Sequence, residues 1–299
     1  MRRQKLRARA ELFGSAVLFG LMAVFVRLST LRGFSGGQVL FVRMAVGAGM
    51  VVALFRARPG TWRMGNRKLL FTRGLFGGLA ALLYFVALAL LPAGEATLIN
   101  NTFPVFAVLI SFFGLEERPT FHIAVALLVA TAGMLLVVGD GSLPTRLGWG
   151  QVVALVSAAA GGAAVTSIRA LRSTDNTFVI FFFFTLGGMV VSVPFLFGAW
   201  PAEGTAWLMA LAVGVLSFGA QILMTHAYGP LTVAEAAVWQ QLTPVMSFVW
   251  AMLLLGERLS GAGALGVLLG IGGVLYGTLL GHRTPAAEVA GEGAPPLRP

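Results

Sequence analysis

The stretch Ala93-Gly-Glu-Ala-Thr-Leu-Ile-Asn-Asn-Thr-Phe-Pro104 has a second copy, Ala234-Glu-Ala-Ala-Val-Trp-Gln-Gln-Leu-Thr-Pro244. Glu95 falls on Glu235 at an offset of 140 residues, and at the same offset Ala96 falls on Ala236, Pro104 on Pro244 and Val105 on Val245. Paired amides coincide as well, Asn100 and Asn101 with Gln240 and Gln241. Further along, Glu117-Arg118 falls on Glu257-Arg258, and near the start of each half Arg27 falls on Arg169 at an offset of 142. Chance matches are common between apolar segments. Two prolines, two Glu-Arg pairs and two amide pairs in register are not.

The surroundings of both copies are apolar. Of 299 residues 58% are hydrophobic and 11% charged, with a mean hydropathy of +0.88; soluble domains carry about 25% charged residues. Only a lipid solvent suits this composition. With no cysteine, disulfides, thiolate metal sites and cysteine nucleophiles are excluded. His122, His226 and His282 lie in separate segments without metal-ligand spacing, and no P-loop string occurs. No cofactor is expected. The net charge of +10 sits in short loops between apolar runs. It reads as topology signal and lipid contact rather than as a nucleic-acid face.

Ten runs are long enough to cross about 30 Å of hydrocarbon: 12–31, 37–55, 69–91, 93–115, 121–138, 147–168, 178–198, 206–227, 232–255 and 261–280. The basic opening, residues 1–11, leads into the first run without a clean cleavage site, so that run is read as an uncleaved first helix. The Pro/Gly/Ala/Glu-rich tail 282–299 is expected to be disordered. With the N-terminus inside, sixteen Lys and Arg fall on the cytoplasmic side, six of them assigned between the second and third spans. Three fall on the opposite side, and Arg27 and Arg43 lie within spans. This bias places both termini in the cytoplasm.

Residues 12–138 and 147–280 hold five spans each. An odd number makes the second half enter the membrane upside down, the inverted repetition that secondary transporters use to build two openings around one midplane site. The fold class expected is therefore an all-α membrane protein of ten transmembrane helices in two inverted five-helix repeats around a central cavity.

The segments 93–104 to Leu115-Glu-Glu-Arg118 and 234–244 to Gly256-Glu-Arg258 resemble the twin signature of EamA-type carriers of the drug/metabolite transporter superfamily. Gly266 to Gly273 is similar to that family's glycine-rich last helix. The resemblance covers roughly residues 12–280. It implies ten helices around a cavity, alternating access, and export of amino acids or other small metabolites across a bacterial inner membrane. Within the family the chain is similar to aromatic amino acid exporters, although no residue singles them out.

Pro104 lies about eleven residues into its span, near the midplane at 1.5 Å per residue, and Pro244 does the same from the other side. A proline inside a helix frees the carbonyl four residues earlier, here that of Asn100 or Gln240. Two readings follow: a polar ring of backbone and amide acceptors for a substrate ammonium, or two plain packing kinks. Asn101, Gln241, Tyr84 and Trp239 are candidate cavity lining near the ring, or interhelical packing and hydrogen-bonding residues. Arg43, about six residues inside the second span, needs a partner or a wet cavity. It could hold a substrate carboxylate or pair with Glu95.

Glu95 and Glu235 open the fourth and ninth spans, and Thr232-x-x-Glu235 reads as a capping box. The sharper reading pairs Arg27 with Glu95 and Arg169 with Glu235 as mirrored gate latches. Glu117-Arg118 and Glu257-Arg258 read as boundary anchors, and His226 as interfacial. Gly266, Gly270, Gly273, Gly277 and Gly281 predict close contact of the last helix with another. The expected partners are a small-molecule substrate and membrane lipids, with no second chain called for. A lipid or lipid-linked sugar translocator is the rival function. A membrane-embedded enzyme would need a carboxylate or His/Asp cluster at one depth, which the sequence does not offer.

Overall fold

A computed structural model describes residues 2–58, 62, 64–91, 93–139, 148–256, 258 and 260–280. The described residues form helices and no strand. The first five runs give α1 (Arg2–Thr30), α2 (Gly36–Ala57), α3 (Arg67–Leu90), the pair α4 (Ala93–Asn100) and α5 (Phe103–Gly114), and α6 (Phe121–Gly139). The second five give α7 (Trp149–Leu171), α8 (Thr177–Ser192) extended by a 3-10 turn (Val193–Phe197), α9 (Gly204–Ala227), the pair α10 (Val233–Gln240) and α11 (Leu242–Leu255), and α12 (Gly261–Leu280). Among the described residues, seven helical segments are long and apolar enough to cross a membrane. The tail, the Glu257 position, Gly281 and the Glu95 side chain lie outside the described residues.

Side-chain caps set where these helices begin. Ser35 and Gln38 form a reciprocal capping box at α2, Asn66 accepts from the Leu69 amide at 3.0 Å, and Asn176 from the Val179 amide at 2.9 Å. The expected box between Thr232 and Glu235 opens α10. Each satisfies a first-turn N–H that has no carbonyl within its own helix. Asp175 adds a longer tie, accepting from the amides of Gly65 (2.8 Å) and Asn66 (3.0 Å), and so fixes the start of α3 to the α7–α8 turn.

The surface is apolar. Phe113, Phe197, Leu253 and Leu268 are each more than two-thirds exposed, while Gln38, Ser157, Gln221 and Gln241 are buried. Hydrocarbon around the bundle removes the penalty for the first set, and pairing inside it satisfies most of the second.

Helices of the first half pack mainly on helices of the second. α1 lies against α9 and α11, and α7 lies correspondingly against α3 and α5. α2 packs on α9 as α8 packs on α3, and α2–α8 and α6–α12 join helices at equivalent places in the two halves. The glycine stripe finds its partner in α6: a Cβ on Gly133 would stand 2.5 Å from the Gly270 nitrogen, and one on Gly273 would stand 2.8 Å from the Ala130 nitrogen. Backbone touching backbone at this distance leaves no room for a side chain. Gly133→Val is expected to lower the melting temperature of the purified protein by at least several degrees, and an unchanged melting curve would contradict the packing described.

Candidate functional site

The two proline segments are broken helices rather than kinked ones. α4 ends at Asn100, and Asn101 and Thr102 form a turn. Pro104 then sits in the first turn of α5, where its missing N–H leaves no bond unmade. The bonds Thr102 N–H to Ile99 O (3.1 Å) and Val105 N–H to Thr102 O (2.9 Å) tighten the crossing. In the second copy α10 ends at Gln240, Gln241 caps it with its amide directed to Val238 O, and α11 begins at Leu242, two residues before Pro244.

The amides at these breaks are engaged with neighbouring helices. Gln240 Nε2 donates to the Tyr228 hydroxyl, and the buried Gln241 donates to Thr131 on α6 at 2.9 Å. The Ser157 hydroxyl on α7 lies 2.8 Å from both Asn100 Oδ1 and Ala80 O. A hydroxyl has one proton, so both contacts bond only if the Asn100 amide turns to present its NH2. Asn101 is half-buried at the α4–α5 turn. Tyr84 shares a 2.8 Å bond with Thr97 on α4, and Trp239 lines a small cleft with Arg9, Glu235, Val238 and Thr278. Gln240, Gln241 and Tyr84 thus bond to neighbouring segments, and Asn100 lies against Ser157.

The end of the bundle where α1 begins is tied shut by charge, though not in the pairing expected. Arg169 Nε donates to Glu117 Oε1 at 2.8 Å, and its Nη1 reaches the carbonyls of Tyr228 and Gly229. The other oxygen of Glu117 accepts from the first amide of α10, Val233 N, at 2.7 Å. Glu235 is bonded instead by Lys5 at 3.2 Å, with Arg9 at 3.9 Å. Glu11 lies 2.7 Å from His226 Nδ1 and 3.0 Å from Arg7 Nε. The expected Arg169–Glu235 latch is therefore replaced. Glu235 turns back to cap α10 and meets the first turns of α1, while the loop after α5 carries Glu117 up to Arg169. Arg27 is exposed near the end of α1; its expected partner Glu95 has a side chain outside the described residues, so that pairing stands apart from these ties.

Lys5, Arg9 and Glu11 escaped the sequence reading because residues 1–11 read only as a topology signal. The structure continues α1 back through them as one 29-residue helix, about 43 Å at 1.5 Å per residue. The signal was there: Glu11 is an acid placed four residues after Arg7, the spacing of a helical ion pair.

Arg73 was also misassigned. The six basic residues assigned between the second and third spans include Arg73, although the run 69–91 already contains it. It lies in α3, 3% exposed, with its guanidinium carbon 4.2 Å from the centroid of the Phe184 ring. Its Nε and Nη1 have no hydrogen-bond partner among the described residues. Arg43, half-buried on α2, donates through Nε to Ser217 on α9 at 2.5 Å. An arginine at mid-span costs about 2.5–3.5 kcal/mol on insertion scales, and a cation–π contact returns about 0.5–2 kcal/mol.

This architecture has a known lineage. A family profile, the EamA-like transporter family, matches the chain twice, over residues 11–139 and 148–278. The chain belongs to the EamA-like transporter family. It is a transporter and a multi-pass membrane protein, as expected. It is 28% identical over 256 residues to the pseudopaline exporter of Pseudomonas aeruginosa, covering 83% of this chain and 90% of that protein. It is 25% identical to solute carrier family 35 member G1 of Mus musculus, over 79% of this chain and 68% of that one. To the probable terminal-alkyne amino-acid exporter of Streptantibioticus cattleyicolor it is 29% identical, over 64% and 65% respectively. One crystal structure at 23% identity superposes with a TM-score of 0.80 over 94% of this chain and 98% of its own, which shows a shared fold.

Proposed function

We propose that this EamA protein is a secondary carrier that exports amino acids or closely related metabolites by alternating access, built as ten spans in two inverted five-helix repeats. The exchange of packing partners between the halves supports the repeat, because α1 on α9 and α7 on α3 are the same contact seen from each half. The excess of Lys and Arg on the α1-start side supports a bacterial inner-membrane orientation with both termini in the cytoplasm. The closed end is then the cytoplasmic one.

The observation that carries the mechanism is the way Glu117 closes that end. It binds Arg169 of α7 with one oxygen and the start of α10 with the other, directly below a broken helix. Opening inward must break both bonds together and tilt α10 away from α7. The offset of 140 sets Glu257 in the place of Glu117, so Arg27 and Glu257 take the corresponding role at the outer end. The substrate meets Asn100, Asn101, Gln240, Gln241, Tyr84, Trp239 and Arg43 between the gates. There the amides exchange their helix partners for the solute, and the carbonyls at the breaks before Pro104 and Pro244 accept an ammonium. The two names that mention export, pseudopaline and terminal-alkyne amino acid, belong to relatives and support the direction.

Counterflow in proteoliposomes against labelled amino acids, nucleosides and lipid-linked sugars tests the reading. Accumulation of an amino acid is expected, and movement of the lipid-linked sugar alone would refute it. Gln241→Leu removes one interhelical bond, worth about 0.6 kcal/mol in membrane bundles. A drop in counterflow of tenfold with a melting temperature shifted by only a few degrees marks Gln241 as a substrate contact. Parallel small losses in both mark it as packing.

A further inference from the structure

Arg73 and Arg43 enter the bundle interior from opposite ends. Arg73 is the seventh residue of α3 and Arg43 the eighth of α2, so each lies roughly 10 Å from its helix start. The two are linked through one packed cluster, in which Phe184, the ring covering Arg73, lies with Met44 beside Arg43 and with Phe218 beside Ser217. Among the described residues neither has a carboxylate within ion-pair distance. Every described ion pair lies elsewhere, at the closed end. Two like charges held inside a hydrocarbon-walled bundle repel, and each loses hydration that nothing here replaces in full. Ser217 engages one guanidinium edge of Arg43, and Phe184 covers a face of Arg73 while leaving Nε and Nη1 without an acceptor. An arginine retained in that state has donors to give to an anion, in the planar geometry that suits a carboxylate.

We propose that Arg73, together with Arg43, forms the anion-recognition site of the carrier, and that its cargo docks a carboxylate there. The site neighbours the second break, since Leu70, three residues before Arg73, packs in one core cluster with Phe183 and Tyr228, and Tyr228 accepts the bond from Gln240. A carboxylate on the arginines and a polar or ammonium group on the Gln240 side read two ends of one small molecule. When the site is filled the two cations cease to repel. The proposal rests on the carrier reading, and deepens it by naming the chemical group that every substrate must carry.

The test uses the full-length protein in proteoliposomes with three labelled probes: phenylalanine, succinate and the organic cation tetraphenylphosphonium. Unlabelled phenylalanine and phenylalaninamide serve as competitors. The expected result is carboxylate-dependent transport in which phenylalaninamide competes at least tenfold less well than phenylalanine, and in which Arg73→Gln abolishes that discrimination. Arg73→Lys, keeping the charge without the fork, retains part of it. Should Arg73→Gln fail to fold, Arg43→Gln and Arg73→Lys carry the same readout. Equal competition by phenylalaninamide, or full discrimination in Arg73→Gln, overturns the anion site while leaving the carrier standing. Transport of succinate without phenylalanine removes the amino acid assignment and keeps the anion site. Transport of the cation alone, or of no probe, overturns both.

Discussion

Substituting Gly187 by leucine is expected to abolish recovery of a monodisperse protein. Gly187 is the point where α8 crosses α3, and a Cβ added there would lie 2.1 Å from the carbonyl oxygen of Gly74 and 2.6 Å from its carbon. The crossing is close over two turns: a Cβ on Gly74 would stand 2.7 Å from Phe183 O, and one on Gly78 would stand 2.9 Å from Gly187 O. Backbone atoms cannot rotate aside as a flexible side chain can, so the helices must separate. Overpacking of ordinary cores costs about 1–3 kcal/mol, and a backbone clash between two membrane helices lies at or beyond the upper end. The separation also lifts Phe184 off Arg73 and leaves that guanidinium without its ring. Gly49→Leu is the control, because a Cβ on Gly49 meets nothing within 4 Å. Fluorescence-detected size exclusion distinguishes the two: an aggregated or absent Gly187→Leu beside a normal Gly49→Leu. A sharp peak and an ordinary melting curve for Gly187→Leu would show that the α3–α8 contact is looser than described.

The second large effect is expected at Glu117. Its carboxylate makes a 2.8 Å charged bond to Arg169 and a 2.7 Å bond to the first amide of α10. Hydrogen bonds to charged groups contribute about 1.5–3 kcal/mol. Arg169 and Glu117 are 30% and 16% exposed, so solvent screening brings the pair toward about 1–2 kcal/mol. That is near a factor of ten in the balance between closed and open cytoplasmic ends. The chain has no cysteine of its own, so a single Ala234→Cys, buried in α10, reports opening cleanly. In Glu117→Ala its maleimide labelling is expected to rise about tenfold, with counterflow reduced because the carrier no longer closes inward. Glu117→Gln, which keeps an acceptor for Val233 N, is expected to fall between. If labelling in both variants matches the parent, the bonds at Glu117 are anchoring only and the gate lies elsewhere.

Much of this could be read from the order of residues. The apolar runs and the match of Glu95 to Glu235 and Pro104 to Pro244 pointed to the helical membrane fold and the family. The glycine spacing in the last helix announced a close helix contact. Thr232 and Glu235 declared their capping box. These are local or periodic features, and each is carried by residues within a few positions of one another or by a repeat that the eye can align.

What lay beyond the sequence are the partnerships between residues far apart in the chain. Glu235 sits at the same membrane end as Arg169, and their counterparts supported the guess that they pair. The winner of each carboxylate was decided by which loop reaches it, the one after α5 for Arg169 and the prolonged α1 for Glu235. Arg73 shows the same limit. Its sequence neighbours Arg67 and Lys68 made it look like one more solvated charge, yet one and a half turns of helix carry it into the bundle against Phe184. Helical period and composition therefore determine which segments enter the membrane, because lipid demands that each satisfy its own backbone. The tertiary structure decides which charges meet, because a side chain's partner depends on the crossing of helices, and no single helix encodes that.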